Sequence, residues 1–306
     1  MNFKMWKTVL FLIITLLLLP YIAFSTDIPP NNNQWEIIFL VGKSYLILAT
    51  ACFLLSSITK NYSQVDKIWS IAPIFYAWQI AYATHFEERM VLMAILITIW
   101  GARLTFNFAR RGGYSWKFWG GEEDYRWAVL RAKPEFTGKW KWFLFNLFFI
   151  SYYQMGLVLI IVFPMIKASG NSGLQLEDYM LAAFVLFWIV YEFIADQQQY
   201  NFQQEKHRRI KNNEPLNEYA HGFTNVGLWK ISRHPNYLAE QSVWVCLYFF
   251  SVIATESWVN WSIVGCVLLI FLFWGSSNFS EEITANKYPQ YKEYQKKTGR
   301  FFPKLF

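Results

Sequence analysis

The chain has 306 residues, of which 55% are hydrophobic and 21% aromatic, whereas only 16% are charged. A soluble globular domain carries about 25% charged residues, so this composition excludes an ordinary soluble fold and is typical of a membrane protein. The formal net charge of +7 does not require a nucleic-acid partner, because the cytoplasmic loops of membrane proteins collect Lys and Arg. We therefore expect the lipid bilayer, and no nucleic acid, as a partner.

Eight apolar segments are long enough, alone or with their flanks, to cross a bilayer, which takes about 20 residues. They are 8–24, 37–57, 68–84, 90–109, 142–166, 179–195, 241–255 and 259–277. This pattern predicts an all-α fold, a polytopic transmembrane bundle of about eight helices.

The first segment has two interpretations. Lys4 and Lys7 precede it, and Ala23 and Ser25 loosely resemble a cleavage site, as in a signal peptide. Its apolar run continues past Pro20 and is long for a signal peptide, so we favour a retained helix.

The loops between these segments alternate in charge. Lys and Arg are concentrated before the first segment and in 58–67, 110–141, 206–233 and the tail after 277, whereas 25–36, 85–89, 167–178 and 256–258 carry few. Because basic loops face the cytoplasm, we expect both termini and the large loops on that side.

The most informative polar stretch precedes the seventh segment. Pro235 suits the first turn of a helix, so Arg233, His234 and Asn236 would gather at its N-terminus, where an anion such as phosphate would bind. Alternatively, Arg233 and His234 extend towards lipid headgroups. Glu240 favours a functional site, because an acidic residue one turn into a membrane helix usually faces a cavity or partner.

Two further polar residues lie in or beside apolar segments. Arg103 is about two turns inside the fourth segment, where an anionic partner or aqueous cavity is expected. Asp66 opens the third segment, where it either complements the helix dipole or donates a proton. The four His residues lack ligand spacing, so we predict no metal.

The sequence resembles membrane proteins with a steroid 5-alpha-reductase-like C-terminal domain, in particular the DUF1295 branch. The resemblance covers roughly 60–306, which we predict to be one membrane domain after an N-terminal transmembrane region at 1–59. It rests on three sequence motifs: Ser-Arg-His-Pro-Asn-Tyr at 232–237, Glu-Asp-Tyr-Arg-Trp at 123–127 and Tyr-Pro-Gln-Tyr-Lys-Glu-Tyr at 288–294.

This resemblance implies an NADPH-dependent reductase that adds hydride to a conjugated carbon–carbon double bond of a steroid-like or other lipophilic substrate. The cofactor-binding residues that it implies are Arg103, Arg111, Asp196, Arg233, His234, Asn236, Tyr237, Glu240, Tyr291 and Lys292. Asp66 and Tyr76 are candidates for the catalytic groups, because the Glu and Tyr that grip the substrate ketone in characterised steroid reductases have no clear equivalents in the N-terminal half.

Two alternatives remain open. The Arg-His-Pro-x-Tyr word is shared with isoprenylcysteine carboxyl methyltransferases, which bind S-adenosylmethionine, and Glu281-Glu282 before the tail also fits them. A lipid-binding membrane protein without catalysis is the second alternative. No retention signal is visible, so we expect a bacterial inner membrane as the location.

Overall fold

The structure, a computed structural model, describes residue 10 and residues 13–117, 120–171 and 173–304. The start of the first predicted segment, with Lys4 and Lys7, lies outside these residues. In the described part of the chain six helices are long and apolar enough to cross a membrane: Asn32–Thr59, Glu88–Ala109, Lys139–Ala168, Leu176–Lys211, Pro235–Thr255 and Ile263–Lys287. The chain is therefore a multi-pass integral membrane protein, and its all-α fold is confirmed.

The helices, in chain order, are α1 (Leu19–Thr26, preceded by a π-helical turn at Ile14–Leu18), α2 (Asn32–Thr59), α3 (Gln64–Trp69), α4 (Ala72–Ala83), α5 (Glu88–Ala109), α6 (Tyr125–Arg131), α7 (Lys139–Phe145), α8 (Gln154–Ile160), α9 (Phe163–Ala168), α10 (Leu176–Lys211), α11 (Leu228–Ile231), α12 (Pro235–Thr255), α13 (Ile263–Lys287) and α14 (Tyr291–Lys297). Short 3-10 turns occupy Pro134–Phe136 and Asn217–Tyr219. Each of the eight predicted segments corresponds to helical structure in its described part.

Two predicted segments are interrupted rather than continuous. The third divides into α3 and α4, because Pro73 in the first turn of α4 cannot donate the backbone hydrogen bond of a helix interior. The fifth is a column of α7, a π-helix at Asn146–Tyr153, α8 and α9. Inside this column the Asn146 amide donates to Ser56 Oγ of α2 at 2.9 Å, so a polar contact joins the two helices.

The chain forms two compact units. The first comprises Met1–Ala183 and Val245–Leu269. Its core contains fully buried Trp100 and Trp261. A buried ion pair between Arg89 of α5 and Asp178 of α10, with N–O distances of 2.8 Å, further ties this unit together.

The second unit comprises Phe184–Trp244 and Ile270–Phe306. Here α10 continues well past the predicted apolar end at residue 195, and at 36 residues it is about 54 Å long, which exceeds the roughly 30 Å of a bilayer core. The Trp229 indole of α11 is buried and donates to the Ala195 carbonyl of α10 at 2.9 Å. The basic segment at 206–233, which contains α11, thus folds back on α10.

Candidate functional site

The N-terminus of α12 lies beside the C-terminal tail within the second unit. Ser232 and Gly299 form an isolated parallel bridge. The Arg233 amide donates to the Gly299 carbonyl at 2.9 Å, and the His234 amide donates to the Arg300 carbonyl at 3.0 Å. α12 begins at Pro235, as the sequence predicts. The tail therefore runs directly past the residues in which the anion site was predicted.

Glu281 of α13 is the centre of a buried polar network. Its carboxylate accepts hydrogen bonds from Arg233 Nε at 2.8 Å, Arg233 Nη2 at 3.2 Å, His234 Nε2 at 2.9 Å and Gln295 Nε2 at 2.8 Å. Arg233 Nη1 donates to the carbonyls of Gln295 and Thr298. All three guanidinium nitrogens of Arg233 therefore bond within the second unit, and its charge is matched by Glu281.

The surroundings of His234 favour its neutral form at neutral pH, because they lower the pKa of its imidazole. Burial lowers the pKa of its imidazole, and the nearby Arg233 and Arg300 charges lower it further, although Glu281 opposes them. A neutral ring that bonds to Glu281 donates its Nε2 proton. The network accordingly contains one ion pair, Arg233 with Glu281, and one neutral donor.

Asp196 and Asn236 form a second polar contact. Asp196, in the extended part of α10, is only 2% exposed. Its Oδ1 accepts a hydrogen bond from Asn236 Nδ2 at 3.3 Å. Asn236 Oδ1 is buried and has no hydrogen-bond partner among the described residues. Since buried carbonyl oxygens are nearly always paired, this oxygen is suited to accept a hydrogen bond from a ligand.

Tyr237 and Glu240 continue the same helix. The Tyr237 ring stacks on His234 with a centroid distance of 5.2 Å and contacts Phe273 at 4.7 Å. Glu240 is 4% exposed and accepts a hydrogen bond from Trp244 Nε1 at 3.1 Å. The first two turns of α12 thus present a buried carboxylate and a stacked aromatic ring.

The two predicted tail residues differ in their surroundings. Tyr291 is buried, and its ring centroid lies 4.8 Å from that of Phe223 and 5.5 Å from that of Tyr294. Burial and the Glu281 charge raise the pKa of the Tyr291 phenol, so it remains protonated. Lys292, the next residue, is exposed.

The remaining predicted residues belong to the first unit. Asp66 of α3 accepts a hydrogen bond from Trp127 Nε1 at 3.1 Å. Burial raises the pKa of the Asp66 carboxyl, and the neighbouring Asp124 charge raises it further. Burial also disfavours ionisation of Asp124, but Arg126 outweighs it and holds the pKa of Asp124 below its usual range, with help from Arg111. Asp66 and Arg111 therefore both interact with Asp124.

Two predicted residues lie inside helices of the same unit. Tyr76 of α4 is fully buried, and its hydroxyl has no hydrogen-bond partner among the described residues. Arg103 of α5 is 8% exposed. In the described part of the chain no three His, Cys, Asp or Glu side chains gather as a metal site would require.

The structure thus gathers the predicted residues in two places. Asp196, Arg233, His234, Asn236, Tyr237, Glu240 and Tyr291 belong to the second unit, whereas Asp66, Tyr76, Arg103 and Arg111 belong to the first. Glu281 was not among the predicted cofactor-binding or catalytic residues, and in the sequence Glu281-Glu282 stood out only as a feature that fits the methyltransferase alternative. Its connection to Arg233 spans 48 residues and leaves no local signal.

Comparison with protein families identifies a match over most of the chain. The model of a family described as "Protein of unknown function (DUF1295)" matches residues 52–298, most of the chain. The chain belongs to the DUF1295 family. Another similar protein is the "Uncharacterized protein C594.04c" of Schizosaccharomyces pombe, 37% identical over 295 residues, which are 90% of this chain and 81% of that protein. No solved structure matches the chain significantly.

The region shared with the DUF1295 family includes all the predicted site residues. It ends at residue 298, just before the turn in which Gly299 and Arg300 accept the backbone hydrogen bonds of Arg233 and His234. The DUF1295 region therefore contains both polar clusters.

Proposed function

We propose that this protein is a membrane-embedded, NADPH-dependent reductase of a carbon–carbon double bond in a steroid-like or other lipid substrate. The observation that carries the proposal is the Asp196–Asn236 pair, in which one end of the Asn236 amide is held at 3.3 Å and the other end is buried without a partner among the described residues. A buried polar pair of this kind at a membrane helix terminus is typical of a ligand site.

The residues present fit this cofactor. The open Asn236 Oδ1 would accept a hydrogen bond from an amide or amino group of NADPH, and Asp196 would keep the Asn236 amide in that orientation. When bound, NADPH supplies a hydride to one carbon of the double bond. The protein must then position the lipid and deliver a proton to the other carbon.

Asp66, which belongs to the first unit, has the properties of a general acid. Its raised pKa, caused by burial and by the Asp124 charge, keeps a larger fraction of the carboxyl protonated near neutral pH, as a general acid requires. Tyr76, with a buried hydroxyl that has no partner among the described residues, is the second candidate and would donate a hydrogen bond to a polar group of the substrate.

An S-adenosylmethionine-dependent methyltransferase of the isoprenylcysteine carboxyl methyltransferase type is the second candidate. The observation that favours it is that the Glu281 carboxylate accepts hydrogen bonds directly from Arg233 and His234. This contact brings together the two sequence motifs shared with those enzymes. A lipid-binding protein without catalysis would retain the same polar residues but bind neither cofactor. For the reductase we propose a bacterial inner membrane as the location.

Cofactor binding by the detergent-purified chain tests these candidates. NADPH, NADH and S-adenosylmethionine are compared by thermal shift, since a ligand at about 100 times its Kd stabilises the folded state by about 2.7 kcal/mol. We expect selective stabilisation by NADPH that is lost in Asn236→Ala. Asn201→Ala, at an exposed Asn of α10, is the matched control and should behave as the wild type.

The outcomes separate the candidates. Stabilisation by S-adenosylmethionine alone would replace the reductase with the methyltransferase. No response to any of the three by a folded preparation would favour the lipid-binding protein. An NADPH response that survives in Asn236→Ala would remove the observation on which the proposal rests.

A further inference from the structure

Arg300 is held at the N-terminus of α12 by its backbone. Its carbonyl accepts hydrogen bonds from the His234 amide at 3.0 Å and from Ser232 Oγ at 2.9 Å. Both residues immediately precede Pro235, where α12 begins. The side chain of Arg300 therefore starts from the positive end of a 21-residue helix.

The Arg300 side chain is held by a ring contact and has no counter-ion among the described residues. Its Cζ lies 4.4 Å from the ring centroid of Trp274, so the guanidinium is stacked on the indole. Nη1 is buried and makes no hydrogen bond to any described residue. No carboxylate in the described ranges lies within ion-pair distance of Arg300. Because buried N–H donors are nearly always paired, Nη1 is suited to donate a hydrogen bond to a ligand.

The neighbouring charges leave a positive excess at this position. Arg233 and Glu281 neutralise each other at 2.8 Å, and His234 is neutral because burial lowers its pKa. Among the described residues no carboxylate then balances the Arg300 charge and the helix dipole. At the start of α12, where the sequence predicted an anion site, Arg300 rather than Arg233 is the Arg without a carboxylate partner among the described residues.

We propose that Arg300 binds a phosphate group at the N-terminus of α12. A planar guanidinium offers paired donors that match phosphate oxygens, and stacking on Trp274 keeps these donors oriented. The phosphate could belong to a dinucleotide cofactor, in which case the inference rests on the proposed function, or to the headgroup of an anionic lipid. The chemistry recognised is the same in both cases.

The test uses the full-length chain and two substitutions, Arg300→Gln and Arg300→Lys. Lys297→Gln is the control, because Lys297 is an exposed cation of the same tail. One arm measures NADPH affinity in detergent. The other measures retention of phosphatidylglycerol against phosphatidylcholine by native mass spectrometry. Circular dichroism confirms that each variant is folded.

For a cofactor phosphate we expect Arg300→Gln to weaken NADPH binding by about tenfold to a hundredfold, the range for losing one charge-assisted hydrogen bond. Arg300→Lys keeps the positive charge but lacks the paired guanidinium donors, so its NADPH affinity should fall less. Lys297→Gln should leave NADPH affinity unchanged. For a lipid phosphate, phosphatidylglycerol is retained by the wild type and lost from Arg300→Gln, whether or not NADPH binds.

These outcomes keep the two proposals apart. Wild-type protein that ignores NADPH but retains phosphatidylglycerol through Arg300 would refute the reductase and support the phosphate site. Binding of NADPH and of phosphatidylglycerol that is unchanged in Arg300→Gln would overturn the phosphate site and leave the reductase standing. If folded wild-type protein binds neither NADPH nor phosphatidylglycerol, both proposals are overturned.

Discussion

Replacing Glu281 with Ala should release the C-terminal tail from the start of α12. The substitution removes the acceptor of four hydrogen bonds, at 2.8, 3.2, 2.9 and 2.8 Å, and leaves the Arg233 guanidinium buried at 8% exposure without its counter-ion. Breaking a buried ion pair by removing one partner costs about 3–5 kcal/mol. Opening of the tail should become about two to four orders of magnitude more frequent, since each 1.4 kcal/mol is roughly tenfold.

Hydrogen exchange measured by mass spectrometry follows this opening, because exchange of protected amides reports local unfolding. The amides of Arg233, His234 and Thr298, which bond to backbone carbonyls, should exchange faster in Glu281→Ala. The control is Glu282→Ala, at the exposed neighbouring carboxylate, where protection should not change. Unaltered protection in Glu281→Ala would refute the view that this carboxylate holds the tail.

Two further predictions concern the buried carboxyl group of Asp66 and the glycine at position 222. Asp66→Asn should raise the free energy of unfolding at neutral pH: the folded-state pKa of Asp66 is raised, so the penalty for ionising it is absent below the ordinary Asp pKa and grows as pH rises towards the folded value. The gain should therefore vanish in acid, and the proposed reductase activity should be lost; a gain that is independent of pH would contradict this reasoning. Gly222→Ala should destabilise by about 2–4 kcal/mol, because φ is +82° and an added Cβ would collide with the Tyr288 ring. At Gly275 an added Cβ would meet nothing within 4 Å, so Gly275→Ala should change the free energy of unfolding by no more than about 1 kcal/mol. Thermal denaturation of both glycine variants measures the difference.

The helices were predictable from sequence because apolar length alone selects membrane spans. The interruptions inside the third and fifth segments were harder to predict. Pro73 signals the start of α4, yet the apolar run around it continues and conceals the interruption. The π-helix at Asn146–Tyr153 contains no Pro or Gly, and depends on packing against other helices. The extension of α10 beyond residue 195 was missed because its residues there are polar.

The site was predictable only where it is local in sequence. Pro235 placed the start of α12 correctly, and Asn236 and Glu240 followed from their positions in that helix. The contacts that give these residues their surroundings are distant: Asp196 is 40 residues from Asn236, and Glu281 is 48 residues from Arg233. Sequence could identify Arg233 as a cation near a helix terminus, but not the carboxylate that neutralises it.

The position of the tail has a consequence for biogenesis. Arg233 and His234 find their partners at Glu281, Gln295 and beyond, so these groups stay unsatisfied while the ribosome is still adding the last part of the chain. The second unit can be completed only after synthesis reaches the tail. A ribosome stalled before that point would leave the Arg233 guanidinium without its native counter-ion at the N-terminus of α12.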